Sequence, residues 1–309
     1  MRIKSLKKSR IAYTNFGDMN YQCQPFEHHL MTRLDHLPYK VNNLRIPVYC
    51  NCIDDSIHTD SNTIRAFSLL WSQTSDKMVA TGARLVAKDR MIHIQLREGK
   101  LLPFGEIDKA TERWVPLPVF EYSQNFPSVA IDSNGRRYSL NENIDFVSIH
   151  HLYARSICLQ KLTFDQEHLL TGVRFNYEYL GEGLEGRFKL EAKYVGFNYQ
   201  HGNMTSETKY KEQSCKQLRE LILNNPDDPL KFDTHPSDSK ENQFIKIGAT
   251  DLTKDASQTT IPFFDILEIS PQISVPITGI ELFHKGQFDG TSGGYISLKV
   301  HPVNLTMYI

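Results

Sequence analysis

A six-residue pattern, apolar-Thr-Gly-apolar-charged-apolar, occurs three times in this chain, and each copy is followed at a distance by a second segment of alternating character. Leu170-Thr171-Gly172-Val173-Arg174-Phe175 leads to Phe188-Lys189-Leu190-Glu191-Ala192-Lys193-Tyr194. Ala80-Thr81-Gly82-Ala83-Arg84-Leu85 leads to Ile92-His93-Ile94-Gln95-Leu96-Arg97, and Ile277-Thr278-Gly279-Ile280-Glu281-Leu282 leads to Ile296-Ser297-Leu298-Lys299-Val300-His301. Strict apolar/polar alternation is the period of a strand with one dry and one wet face. A β unit repeated three times has an apolar face that it cannot bury alone, and three such faces close on one another. The expected fold is therefore all-β, in a pseudo-threefold β-prism-like arrangement, with a two-sheet β-sandwich as the alternative.

Alternation also assigns faces. Val173, Phe175, Phe188, Leu190 and Ala192 share one face, whereas Arg174 falls on the other with Lys189, Glu191 and Lys193. Pairing of the two strands would set Arg174 opposite Glu191. The corresponding pairs are Arg84 with Gln95 and, with the signs exchanged, Glu281 with Lys299. Such cross-strand pairs are worth about 0.2 to 1 kcal/mol and read as scaffold, not as catalytic groups. Gly82, Gly172 and Gly279 are expected to mark a bend before each strand, where glycine permits a close backbone approach.

One inserted helix is predicted over Thr205 to Asn225, with Ser206 as cap, Leu218, Leu221 and Ile222 as a stripe and Asn224-Asn225-Pro226 as the stop. Residues 1–45 lack a sustained period and read as an N-terminal arm. Residues 46–309 read as a single all-β domain, entered by a strand at Ile46–Cys50, with repeats near 79–105, 169–200 and 276–309.

The formal net charge of -1 leaves no basic field to gather nucleic acid. No apolar run approaches the length of a membrane span, and the residues after the basic start are too polar for a signal-peptide core. The five cysteines, Cys23, Cys50, Cys52, Cys158 and Cys215, are too scattered for a small disulfide scaffold and read as buried or singly bridged thiols. Cys50-Asn51-Cys52 lacks the second pair of a zinc site, so neither a metal nor a cofactor is expected. Asn203-Met204-Thr205 and Asn304-Leu305-Thr306 are glycosylation sequons that matter in a secreted chain.

Two groups of residues suggest chemistry. Gly286-Gln287-Phe288-Asp289-Gly290-Thr291-Ser292-Gly293-Gly294 is rich in glycine, and Asp289, Thr291, Gly293 and Gly294 offer the directional donors and acceptors that sugar hydroxyls need. The plainer reading is a hairpin loop joining the two strands of the last repeat. Asp251, Asp255 and Asp265 bring carboxylates near Gln258-Thr259-Thr260. They suggest carbohydrate hydrolysis, although Asp before a strand is also an ordinary turn former. No HExxH, Gly-x-Ser-x-Gly or cysteine nucleophile pattern occurs, and an enzyme is the weaker expectation.

With these residues laid out, the chain resembles an uncharacterised family of arthropod proteins defined by a domain of unknown function. The resemblance rests on Val79 to Leu85, Ile92 to Pro103, Leu170 to Phe175 with Lys189-Leu190-Glu191, Phe197 to Gly202, and Thr250 to Asp265. It implies a secreted protein and carries no known activity or catalytic residue. The resulting expectation is a non-enzymatic extracellular binding or structural module, lectin-like in binding carbohydrate, whose partners are a glycan or an extracellular protein. The alternatives are a carbohydrate-active hydrolase, an extracellular coat or assembly protein and, for location, the cytoplasm.

Overall fold

The computed structural model describes residues 64–308 except 65, 124–125, 150–154, 181–185, 228–238, 252–253 and 255–259, together with the short strands Ile11–Ala12, Lys40–Val41 and Leu44–Arg45. The chain is all-β. The strand expected at Ile46–Cys50 lies outside the described residues, as do Cys23, Cys50 and Cys52.

Three long antiparallel hairpins carry the fold. The first pairs Met78–Lys88 with Met91–Leu101, the middle one His168–Tyr179 with Gly186–Asn198, and the last Ile277–Lys285 with Tyr295–Pro302. Each second strand is joined at its start by a short parallel strand: Ala66–Ser68, Arg155–Cys158 and Phe263–Asp265, in chain order. The same register recurs in all three, pairing Phe67 with Ile92, Ile157 with Phe188, and Phe264 with Ile296. Each pair thus supplies one phenylalanine and one isoleucine, with the two positions exchanged in the middle unit. All six side chains are fully buried, each contributing roughly 1.5–3 kcal/mol of apolar burial. Phe67 lies 4.2 Å from Phe188 and 5.3 Å from Phe264 between ring centroids, so side chains from all three units meet in one core.

The units also exchange strands in a ring. Ser72–Gln73, which follows the first short strand, pairs with the middle hairpin at Val173 and Gly172. Lys161–Thr163 follows the second short strand and pairs with the last hairpin from Glu281 to Gly279. Ile269 follows the third and closes the ring on Ala83 of the first hairpin, through two reciprocal backbone bonds of 2.9 Å. This exchange accounts for the Thr-Gly pairs. They lie inside the strands, not at a bend before them, and the threonine of each pair, Thr81, Thr171 and Thr278, is the extra residue of a β-bulge. A side chain on Gly279 would come within 2.8 Å of Leu162 O, and one on Gly82 within 3.1 Å of Ile269 O, so these two glycines let the incoming strand approach.

No helix forms where one was predicted. Asn203–Glu212 is a strand on the middle hairpin, Arg219–Glu220 pairs with Gln243–Ala249, and Lys254 is the only α-helical residue among those described. The free edge of Gly186–Asn198 offers backbone bonds that override a weak local helical preference. Cys215, bridged to Cys158, and Gln217 hold positive φ angles of 44° and 52°, which a helix cannot accommodate.

Outside the ring, Ile107–Trp114 extends the first hairpin as Asn203–Glu212 extends the middle one. Among the described residues no strand plays this part on the last hairpin. A small sheet of Val119–Ser123, Phe126–Ile131 and Arg137–Ser139 covers part of the first unit through Phe120, which stacks on buried His93.

Candidate functional site

The recurring register places a row of side chains, built on a cross-strand polar pair, across the outer face of each unit. In the middle unit the row is Glu191, Arg174 and Trp71. Arg174 Nε donates to Glu191 Oε2 at 2.7 Å, and the guanidinium lies 4.7 Å from the Trp71 ring. In the first unit Arg84 Nε donates to Gln95 Oε1 at 2.8 Å, Gln95 Nε2 donates to Val115 O, and the guanidinium sits 4.1 Å from Trp114. Trp71 and Trp114 are the only tryptophans in the chain, and each covers an arginine, Trp71 from the position before an exchanged strand and Trp114 from the added outer strand; in the first unit Glu268 holds the position that matches Trp71.

The last row is Lys299, Glu281 and Lys161, with Lys161 where the middle unit has Trp71. Among the described residues no tryptophan covers it. A cavity of about 330 Å³ lies there instead, lined by these three residues, by the polar residues His301, Ser239, Lys240 and Glu241, and by the apolar residues Leu159, Leu282 and Phe283. Ser239 fixes that side by accepting from His284 N at 2.9 Å. His284 itself is buried, with its Nε2 3.0 Å from Gly293 O, and burial lowers its pKa to about 4.

Glu281 is the centre of this site. Its Oε1 lies 3.0 Å from Lys299 Nζ and its Oε2 3.2 Å from His301 Nε2. Burial favours the neutral acid, but His301 and Lys299 outweigh it and hold the Glu281 pKa below the usual carboxylate value. Glu281 is therefore an anion at neutral pH, fixed as an acceptor at the cavity wall. Lys161 is exposed, and its ammonium has no partner among the described residues. A cavity with a fixed carboxylate, an unpaired ammonium and an imidazole can bind a ligand rich in hydroxyl groups, since it offers both acceptors and donors.

The residues singled out from the sequence fall elsewhere. Asp289 and Thr291 lie in the loop joining the two strands of the last hairpin, where Asp289 Oδ1 accepts from Thr291 N at 3.0 Å and Thr291 Oγ1 at 2.7 Å. These bonds hold the Asp289 pKa down. Gly293 packs on Ile261, where a Cβ would come within 2.2 Å of that side chain, and Gly294 takes a positive φ of 59°. The loop is bound into the molecule through Asp227 N to Thr291 O and Asn224 Nδ2 to Asp289 O, both 2.9 Å. Asp265 accepts from Leu267 N and Ser297 Oγ, Asp251 accepts from Lys254 N, and Asp255 lies outside the described residues. None of the three lines the cavity among the described residues.

Among the described residues no three His, Cys, Asp or Glu side chains are grouped to hold a metal ion, and no helix is long and apolar enough to cross a membrane. No family model matches the chain, and a search of curated proteins finds no match.

Lys161, Ser239, Lys240 and His301 were not singled out from the sequence. The signal that points to them is Trp71: it directly precedes a ring strand, and the equivalent position before Leu162 is a lysine.

Proposed function

We propose that this chain is a non-enzymatic extracellular binding module of the lectin type, and that it binds a glycan at the Glu281 cavity. The observation that carries this reading is a contrast among the three outer faces: Trp71, before an exchanged strand, covers Arg174, Trp114, on the added outer strand, covers Arg84, and Glu281 borders an open cavity lined largely with hydrogen-bonding groups. Sugars need directional donors and acceptors in a shallow site, and a carboxylate held ionised beside lysine and histidine provides them. The Cys158–Cys215 bridge supports an extracellular location, because such bonds persist in oxidising compartments. The ring of exchanged strands suits a β-prism-like scaffold, and the secreted arthropod family that the chain resembles remains part of this reading.

The test is a glycan array probed with the purified chain, alongside Glu281→Gln and Asp289→Ala. Binding that is lost in Glu281→Gln and kept in Asp289→Ala supports the cavity. Loss in Asp289→Ala alone moves the site to the glycine-rich loop, and failure to bind any glycan removes the lectin reading.

A further inference from the structure

The two sequons lie at one end of the molecule. The hairpin tips are at Asp89–Arg90, between Tyr179 and Gly186, and between Lys285 and Tyr295. Asn203 and Asn304 instead follow the far ends of the second strands, beyond Asn198 and Pro302. Three aromatic residues tie these ends together: Tyr199 stacks on Tyr308 with ring centroids 4.3 Å apart, and Phe104 N donates to Tyr199 O. Asn203 opens the strand Asn203–Glu212, is exposed, and has no side-chain partner among the described residues. Asn304 is also exposed. Its Oδ1 accepts from Thr306 Oγ1 at 2.6 Å and from Thr306 N at 3.2 Å, while its Nδ2 has no partner among the described residues.

The geometry points to paired N-linked glycans on Asn203 and Asn304, both at the end of the molecule opposite the hairpin tips. The inference rests on the extracellular reading above. The donor is an oligosaccharide on a lipid diphosphate. Nδ2 attacks the anomeric carbon, a C–N bond forms, the C–O bond to the diphosphate breaks, the diphosphate leaves with the electron pair, and Nδ2 releases one proton to base. A glycan is bulky and needs solvent, and the fold leaves both side chains in solvent. Neither asparagine lines the Glu281 cavity.

The test is secretion of the full chain from eukaryotic cells behind a cleavable leader, followed by peptide mass spectrometry before and after enzymatic deglycosylation. The Cys158–Cys215 bridge is mapped in the same sample. The expected result is a bridged protein glycosylated at both positions. Each glycan should be lost in Asn203→Gln or Thr205→Ala, and in Asn304→Gln or Thr306→Ala, and be kept in Thr205→Ser and Thr306→Ser. A bridged protein without sugar at either position overturns the proposal while leaving the extracellular reading intact, and sugar at one position overturns the pairing. A chain that is retained without forming the bridge overturns the extracellular reading and this inference with it.

Discussion

The middle and last hairpins share a strand pairing, a bulge and a core layer, yet their outer faces differ in kind. In the middle unit Arg174 is held between Glu191 and Trp71, with Lys193 Nζ 4.4 Å from the same indole, so the row is filled by its own side chains. In the last unit the charges are exchanged, a lysine stands where the indole would be, and a cavity remains. The same backbone supports a stabilising row in one place and a ligand-sized opening in another. What distinguishes them is the residue delivered by the exchanged strand, not the hairpin itself.

The core layer gives the largest test of that equivalence. Phe188→Ala should destabilise by about 3–5 kcal/mol in urea or guanidinium titration. Ile157→Phe alone overpacks the middle unit and should cost about 1–3 kcal/mol. Ile157→Phe combined with Phe188→Ile copies the arrangement of the other two units and should cost no more than about 1.5 kcal/mol. A double variant as damaged as Phe188→Ala would break the equivalence of the three layers.

The disulfide belongs to the middle unit alone among the described residues, and it closes a 57-residue separation. Cys158→Ser with Cys215→Ser should lower stability by about 4 kcal/mol in the chain-entropy treatment, read as a fall in denaturation midpoint.

The first and last units each bury a histidine with its pKa lowered from 6.5 to about 4 by loss of hydration, His93 and His284 respectively. The unfolded chain takes up these protons first. Stability is therefore full above about pH 6.5 and falls as pH drops toward 4, by on the order of 3 kcal/mol for each histidine. Denaturation midpoints across this range should show the fall, and His93→Gln should reduce its slope. An unchanged slope in that variant would mean that His93 is not held neutral.

Most of the scaffold was legible in the sequence because strand alternation has a period of two, so the position of Arg174 predicts its register with Glu191. The bulge at each Thr-Gly was not, since it depends on a strand arriving from a neighbouring unit. The segment predicted as a helix failed for the same reason: backbone bonds to Gly186–Asn198 and the tether at Cys215 are tertiary facts. The cavity was hidden more deeply. It requires aligning Lys161 with Trp71, which are equivalent only through the ring of exchanged strands, and bringing Ser239 and Lys240 across from a distant part of the chain.

The smallest stability effects should separate the two rows. Arg174→Ala removes an ion pair and a cation–π contact and should cost about 1–2 kcal/mol. Glu281→Gln should cost less than about 1 kcal/mol, because its partner Lys299 is exposed and the pair is screened by solvent.

If the open row on the last unit is the glycan site proposed above, Lys161→Trp should close it. This substitution places in the last row the residue that closes the middle one. Glycan titration of the native chain and the variant, both shown to be folded by denaturation midpoint, should give binding by the first and at least a tenfold loss in the second. Equal affinity in the two proteins would contradict the account.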